Sequence, residues 1–278
     1  MWHDASVSTH ILFYVDSYAK KRNDTVVDSS TQAVILSAGF ATRLYPLTPR
    51  SGKSLLPLGD RFVIDFQIDA LTQAPSVGTI FVVTNQTFYP ALHRWHATSP
   101  HKKRITLLSN GVTLLEERKG PIGDLQHVLQ RTGIDQDIVV LGNDNLFEDS
   151  LESVIQFAKK QNAMTVSVNE FTKTNCITQS NEVVLYPNTF RVQEFHDNVR
   201  QALSPYYASC LYVIPQCQLG TIADYLKSQN HHPEPAKHFI SWALENKYPF
   251  YGYPMQGRRF DTGDHASYNN TCKWFDKI

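Results

Sequence analysis

The chain has 278 residues, of which 42% are hydrophobic and 19% charged, enough to bury a sizeable core in one large α/β domain or one domain with an appendage. Lysine plus arginine equals aspartate plus glutamate, 26 against 26, which excludes the surplus positive field that nonspecific nucleic-acid binding exploits, so an anion must be met locally. No apolar run approaches the roughly 20 residues of a bilayer span, so the expectation is a cytoplasmic chain with neither membrane nor nucleic acid as partner.

Four cysteines, Cys176, Cys210, Cys217 and Cys272, show neither CxxC spacing nor a zinc pattern, and reduced thiols are expected. Residues 1–31 read as a polar N-terminal extension of unreadable role, whose ILFYV run at Ile11–Val15 is too short for a signal-peptide core. From there, β-branched runs recur: AVILSAG (33–39), GTIFVVTN (78–85), RITLLSNG (104–111) and DIVVLGND (137–144). Continuous apolar strands so spaced predict an α/β architecture with a parallel sheet covered on both faces. The stretches 62–74 and 150–162 carry apolar residues close to a helical stripe and predict crossover helices, the second opening on Ser150 as cap.

After residue 163 the segments become shorter and extended: MTVSVNEF, EVVLYPN, FRVQEFHDN, YYASCLYVIP and PFYGYPMQGRRFDTGD. They predict a second, mixed-sheet half built against the first without a linker, giving halves of about 32–163 and 164–278. The pairs Tyr206/Tyr207 and Tyr251/Tyr253 read as sheet packing, and Trp242 with Ile240 and Leu244 as a core-facing helix stripe. His231 and His232 have no third ligand in view.

Ligands of open parallel sheets sit at the carboxyl ends of strands, which directs attention to the loops after Leu36, Val140 and Phe260. In the first, SAGFATRLYPLTPRSGKSLLP, Gly39 stands at a strand exit among the small residues Ser37, Ala38, Ala41 and Thr42, leaving backbone N–H groups for phosphate oxygens. Arg43 can engage two phosphate oxygens at once and Lys53 can supply a point charge. Neither a Rossmann G-x-G-x-x-G nor a Walker A sequence is present. Asp144 follows the strand DIVVLGN and Asp261 lies in RRFDTGD; two carboxylates in one crevice would suit Mg²⁺, a hard cation that bridges substrate phosphates. Asp264 reads as a turn residue and Asp149 as a helix-start residue.

These residues resemble the sugar-phosphate nucleotidylyltransferases, whose signature L-A-A-G-x-G-T-R-L-x-P-L-T, then K-x-L-L-P, is matched by Gly39, Thr42, Arg43, Pro46, Leu47, Thr48, Lys53, Leu55, Leu56 and Pro57. The resemblance runs in order from about residue 32 to 272, through EERKGPIGDLQHVL (116–129), VVLGNDNLFEDSL (139–151) and HFISWALENKYPFYGYPMQGRRFDTGDHASYNNT. It implies the nucleotide-diphospho-sugar transferase fold, a Rossmann-like α/β architecture whose mixed, mostly parallel central sheet is flanked by helices. It also implies transfer of a nucleotidyl group from a nucleoside triphosphate to a sugar 1-phosphate, releasing pyrophosphate, with Mg²⁺ as cofactor.

By the same resemblance, Ser37, Ala38, Gly39, Phe40, Ala41, Thr42, Glu117, Gly120, Gly123 and Asp124 would bind the nucleotide. Asp144 and Asp261 would hold the metal, Arg43 would balance charge on the departing pyrophosphate, and Lys53 would bridge the incoming phosphate and the α-phosphate, with Asp144 the third catalytic residue. Asn143, Glu194, Asn198 and Arg200 would face the sugar phosphate, and a homo-oligomer is left open. Three positions depart from the pattern: Ala41 and Asn143 stand where the family usually has Gly, and Asn198 where E-x-K-P has its Lys. A neutral amide cannot supply that charge. Two alternatives therefore stay open, a cytidylyltransferase acting on a phosphoalcohol and a catalytically weakened, nucleotide-binding regulatory paralogue.

Overall fold

The run TQAVILS, buried at every position but Gln32, forms an interior strand of the main sheet, and its alternating side chains feed two separate cores. The computed structural model describes residues 31–170, 180–199, 204–228 and 236–276. Cys176, Arg200, His231, His232 and the extension up to residue 30 lie outside the described residues.

In chain order the first half comprises β1 (Thr31–Ser37), β2 (Pro57–Leu58), β3 (Arg61–Phe62), α1 (Val63–Thr72), β4 (Val77–Thr84), α2 (Tyr89–Thr98) and β5 (Ile105–Ser109). It continues with α3 (Gly120–Thr132), β6 (Asp137–Gly142), β7 (Asn145–Phe147) and α4 (Leu151–Gln161). The remainder comprises β8 (Met164–Glu170), β9 (Ser180–Leu185), β10 (Val192–Val199), β11 (Tyr206–Ile214), α5 (Gly220–Ser228), α6 (Ala236–Glu245), β12 (Phe250–Pro254), β13 (Arg259–Asp261) and α7 (His265–Phe275).

The main sheet runs β12-β8-β11-β6-β1-β4-β5, with the β9–β10 hairpin attached to the start of β11. The pairs β6–β1, β1–β4, β4–β5 and β12–β8 are parallel, whereas β11 is antiparallel to both β6 and β8, so β11 alone along that path runs backwards. The sheet is mixed and mostly parallel, as expected. No helix among the described residues is long and apolar enough to cross a membrane.

Ala33 and Ile35 of β1 join Ile64, Ile68 and Leu71 of α1 and Val154, Ile155 and Ala158 of α4 in one core, while Val34 and Leu36 pack with Ile122, Leu125 and Val128 of α3 and Phe239 and Ile240 of α6 in the other. Each fully buried Val, Leu or Ile among them contributes about 1.5–3 kcal/mol, and burial of both faces is why the parallel strands read as unbroken apolar runs. A third cluster, Leu44, Leu56, Leu58, Val63, Leu146 and Phe260, lies beneath α7. It seats the two polar loops at the carboxyl ends of β1 and β6.

The aromatic pairs pack as expected. Phe157 takes Tyr251 and Tyr253 at ring distances of 6.3 and 5.3 Å, and Trp242 stacks on Phe239 and Tyr248. Two expected roles are exchanged. Asp264 is the N-cap of α7, accepting Ser267 N–H at 2.9 Å, because its extended backbone presents the carboxylate to the first turn. Asp149 instead accepts the N–H groups of Gln256 and Gly257, each at 2.8 Å, and so holds the turn before β13. Ser150 occupies the N-cap position of α4 without a side-chain capping bond.

Candidate active site

The chain leaves β1 at Ser37 and is braced at once from its neighbours. Thr84 Oγ1 donates to Ser37 O at 3.2 Å and Asn85 Nδ2 to Ala38 O at 3.0 Å, so the first two carbonyls of the loop are held by the end of the neighbouring strand. Ala41 takes a left-handed conformation, φ 55° and ψ 33°, and buried Thr48 donates Oγ1 to Ala41 O at 2.9 Å. A left-handed residue is required here, and glycine would meet that requirement at no steric cost, so Ala41 is a position that favours glycine. A Cβ added at Gly39 would meet nothing within 4 Å, so the loop leaves open space at that point. Thr42 and Arg43 follow in an exposed 3-10 turn, and Phe40 leans on Phe88 with ring centroids 6.0 Å apart.

Across this loop, Lys53 is brought back by a 3-10 turn and its Nζ donates to Asp144 Oδ2 at 2.8 Å, with side chains only 11% and 23% exposed. Ser37 Oγ and Ser54 Oγ lie 2.6 Å apart, and Asn143 Nδ2 reaches Ser54 Oγ at 3.3 Å. Thus the amide at position 143 is taken up by a serine bridge between the two loops. Burial alone would raise the Asp144 carboxyl, but Lys53, with Arg259 and Arg43 further off, outweighs it and holds the carboxyl below the ordinary aspartate range.

Asp261 arrives from the other end of the sequence. Antiparallel pairing sets Asp261 opposite Asn145, and Thr262 N donates to Asp144 O at 2.9 Å, so strand register forces the two acidic residues into one crevice. The proof of convergence lies at Gly263, where an added Cβ would fall 2.9 Å from Asp261 Oδ1, 3.3 Å from Asp144 Oδ2 and 3.7 Å from Lys53 Nζ. Below them α7 supports the strand end, with Thr271 Oγ1 donating to Asp261 O at 2.9 Å.

A cleft of about 590 Å³ opens beside these groups, lined by Ala38 and Gly39, by Asn143 and Asp144, and by Lys119, Gly120 and Asp124 from the start of α3. Asp124 accepts Asn110 Nδ2 at 2.7 Å; burial raises its carboxyl to about 6 against the smaller opposing effects of that bond and of Lys119. Cys210 also lines the cleft, and burial with the nearby Asp144 charge pushes its thiol up to about 12, so it is a wall and not a nucleophile.

The structure therefore brings together Ser37, Ala38, Gly39, Lys53, Gly120, Asp124, Asn143, Asp144 and Asp261, with Arg43 near enough to influence both Asp144 and Asp264. Glu117 is exposed on a 3-10 turn outside the cleft lining, and Gly123 faces Lys119 within α3. Glu194 sits on β10 bonded to His196 at 2.9 Å, away from the cleft lining. Asn198 is on β10 with its side chain outside the described set. Four polar residues were not singled out by sequence reading: Asn110, Arg118 and Lys119 on the cleft wall, and Arg259 behind Asp261. Lys119 had a usable signal, because it immediately precedes the Gly120-Pro121 helix start.

Mg²⁺ takes oxygen ligands in octahedral geometry, commonly one or two carboxylates with substrate phosphates and water. Two carboxylates meeting at one point, with no cluster of three or more His, Cys, Asp or Glu among the described residues, have the donor chemistry for such an ion. They do not make an all-protein cage.

Comparison with known proteins agrees with this geometry. A protein of Sulfolobus acidocaldarius named as a mannose-1-phosphate guanyltransferase is 24% identical over 224 residues, covering 80% of this chain; the chain spans 58% of that relative's length. Among solved structures, one from Bacillus anthracis named as a glucose-1-phosphate thymidylyltransferase, in complex with a sucrose, superposes with a TM-score of 0.73 at 18% identity over 89% of this chain and 96% of that one. A UDP-glucose pyrophosphorylase complexed with UDP-glucose gives 0.72 at 14% identity over 89% and 98%. These structural likenesses establish the fold. The family model described as nucleotidyl transferase matches residues 32–274, spanning both polar loops and both carboxylates, and the chain belongs to that family.

Proposed function

We propose that the chain transfers a nucleotidyl group from a nucleoside triphosphate to a sugar 1-phosphate, giving an NDP-sugar and pyrophosphate, in the presence of Mg²⁺. The observation that carries this reading is the meeting of Lys53, Asp144 and Asp261 around Gly263 beside the Gly39 loop. The relatives are named for three different bases, guanine, thymine and uracil, yet each name contains a hexose. A hexose 1-phosphate is therefore the acceptor we infer.

An oxygen of the acceptor phosphate attacks the α-phosphorus in line while the bond to the β-phosphate oxygen breaks and pyrophosphate leaves. No covalent protein intermediate is needed, so the protein contributes position and charge. The backbone N–H groups around Gly39 receive phosphate oxygens, Lys53 turns from Asp144 to the reacting phosphates, and Arg43 meets the departing pyrophosphate. Asp144 and Asp261 would hold Mg²⁺, which when bound neutralises phosphate charge. We assign the base to the wall formed by Asn110, Lys119 and Asp124, the nucleotide to the half about 32–163 and the acceptor to the half about 164–278.

The test is pyrophosphate release by the purified full chain incubated with each common triphosphate and a panel of hexose 1-phosphates. Release with at least one pair, abolished in Asp144→Ala, is expected. Silence of wild type and Asp144→Ala alike across the panel would overturn the assignment.

A further inference from the structure

Asp261 comes with a cation of its own. Arg259 lies two residues earlier on the same strand, hence on the same face, and its Nη2 donates to Asp261 Oδ2 at 2.5 Å. The guanidinium is fixed on two further sides: Nε donates to Asn145 Oδ1, and the Tyr207 side chain hydrogen-bonds it, with the ring centroid 5.8 Å from the guanidinium carbon. Its side chain is 12% exposed, which leaves it little freedom to swing away.

Every oxygen of the two carboxylates is thereby already engaged. Asp144 Oδ2 takes Lys53 at 2.8 Å and Oδ1 takes Asn145 Nδ2 at 2.6 Å; Asp261 Oδ2 takes Arg259 and Oδ1 takes Gly263 N at 2.6 Å. Two anions and two cations form a neutral group. A bare divalent ion approaching it meets no net negative charge and two cations at close range. Lys53 can be drawn off by an incoming polyphosphate, whereas Arg259, held by Asn145 and Tyr207, stays.

We propose that Arg259 is a positioning residue and fixed counter-charge for Asp261, so that the carboxylate pair takes up a divalent cation only together with a polyphosphate. This rests on the metal assignment made above. Arg259 then orients Asp261 and suppresses metal binding in the nucleotide-free protein.

Water-proton relaxation enhancement by Mn²⁺, with and without inorganic tripolyphosphate, tests this without requiring turnover or knowledge of the base. Wild type is expected to give no enhancement with up to about 1 mM Mn²⁺ alone and a clear one when tripolyphosphate is added. Arg259→Met, which removes the charge but keeps the length, is expected to bind Mn²⁺ alone about ten-fold tighter or more, and Arg259→Lys, which restores the charge, to behave like wild type. Micromolar binding of Mn²⁺ alone to wild type overturns the proposal, as does an Arg259→Met no tighter than wild type or an Arg259→Lys that moves with it. Should Arg259→Met fail to fold, Arg259→Gln, which also removes the charge but keeps a hydrogen-bond donor, takes its place with the same expected and overturning results. A normal signal with tripolyphosphate and an unmoved Arg259→Met sinks this inference alone, whereas no signal in wild type even with tripolyphosphate removes the metal from the proposed function too.

Discussion

Lys53 Nζ meets Asp144 Oδ2 at 2.8 Å across 91 residues of sequence, tying the loop after β1 to the turn after β6. The pair stands where the reacting phosphates would lie, so it has two separable consequences. Removing one partner strands the other in a mostly buried position, at a cost of about 3 kcal/mol, while the double substitution Lys53→Met/Asp144→Asn should regain much of that. Denaturant melts of the four proteins measure the coupling. The Asp144 carboxyl is held below its unfolded value, so the pair's contribution is present at neutral pH and is lost as pH falls through the folded value; the difference between wild type and Lys53→Met should shrink in acid. Transfer activity does not recover in the double variant, and each single variant should lose about 10²–10³-fold in kcat.

Gly263 offers a sharper probe of the same point. An alanine methyl there would press on Asp261 Oδ1 at 2.9 Å and on Asp144 Oδ2 at 3.3 Å. No backbone strain is involved, so Gly263→Ala should fold with a melting temperature within a few degrees of wild type yet lose most of its transfer activity. Equal activity in Gly263→Ala would show that the space between the carboxylates is not used.

Much of this was legible in the residues, and the exceptions have physical causes. Strands such as β1 and β6 are buried on both faces, so their apolar runs are unbroken and easily read. The helix α2 (YPALHRWHAT) escapes notice because only Leu92 and Trp95 of it are buried, too few for a stripe. Asp144 and Asp261 are found by motif, but Arg259 is not. Its two-residue spacing from Asp261 is local, but its grip by Asn145 comes from strand register, which sets Asn145 opposite Asp261 from 114 residues away, and no local spacing announces that. The exchange of roles between Asp149 and Asp264 has a similar origin, since what Asp149 holds is a turn 107 and 108 residues away.

Ala41 carries a conformational cost that can be recovered. A non-glycine residue in the left-handed region costs about 1–2 kcal/mol, while glycine gives back about 0.5–1 kcal/mol in unfolded-state freedom. At φ 55° and with Thr48 fixing the carbonyl, Ala41→Gly should be stabilising, by about 0.5–1 kcal/mol, or about 1–3 °C in melting temperature for a chain of this size. A lower melting temperature for Ala41→Gly would mean that loop freedom in the native state outweighs relief of the backbone.

Asp124 links the cleft to pH. Burial raises its carboxyl to about 6, from an unperturbed value near 4, so the folded protein favours the protonated form more than the unfolded chain does. The sign follows directly: the stabilising contribution is complete at pH below about 4 and is lost as pH rises through about 6. Above that, the fold carries an ionised, buried carboxylate supported by Asn110 at 2.7 Å and by the charge of Lys119. Asp124→Asn removes the titration and should leave stability unchanged near pH 4 while raising it by about 1–3 kcal/mol at pH 8. Chemical-denaturation curves across that range read the difference, and a variant whose advantage is the same at both ends would show that the carboxyl does not titrate there. Because the group lies on the wall assigned to the base, the ratio of triphosphate affinities of wild type and Asp124→Asn, in which the triphosphate's own titration cancels, should change through about pH 6.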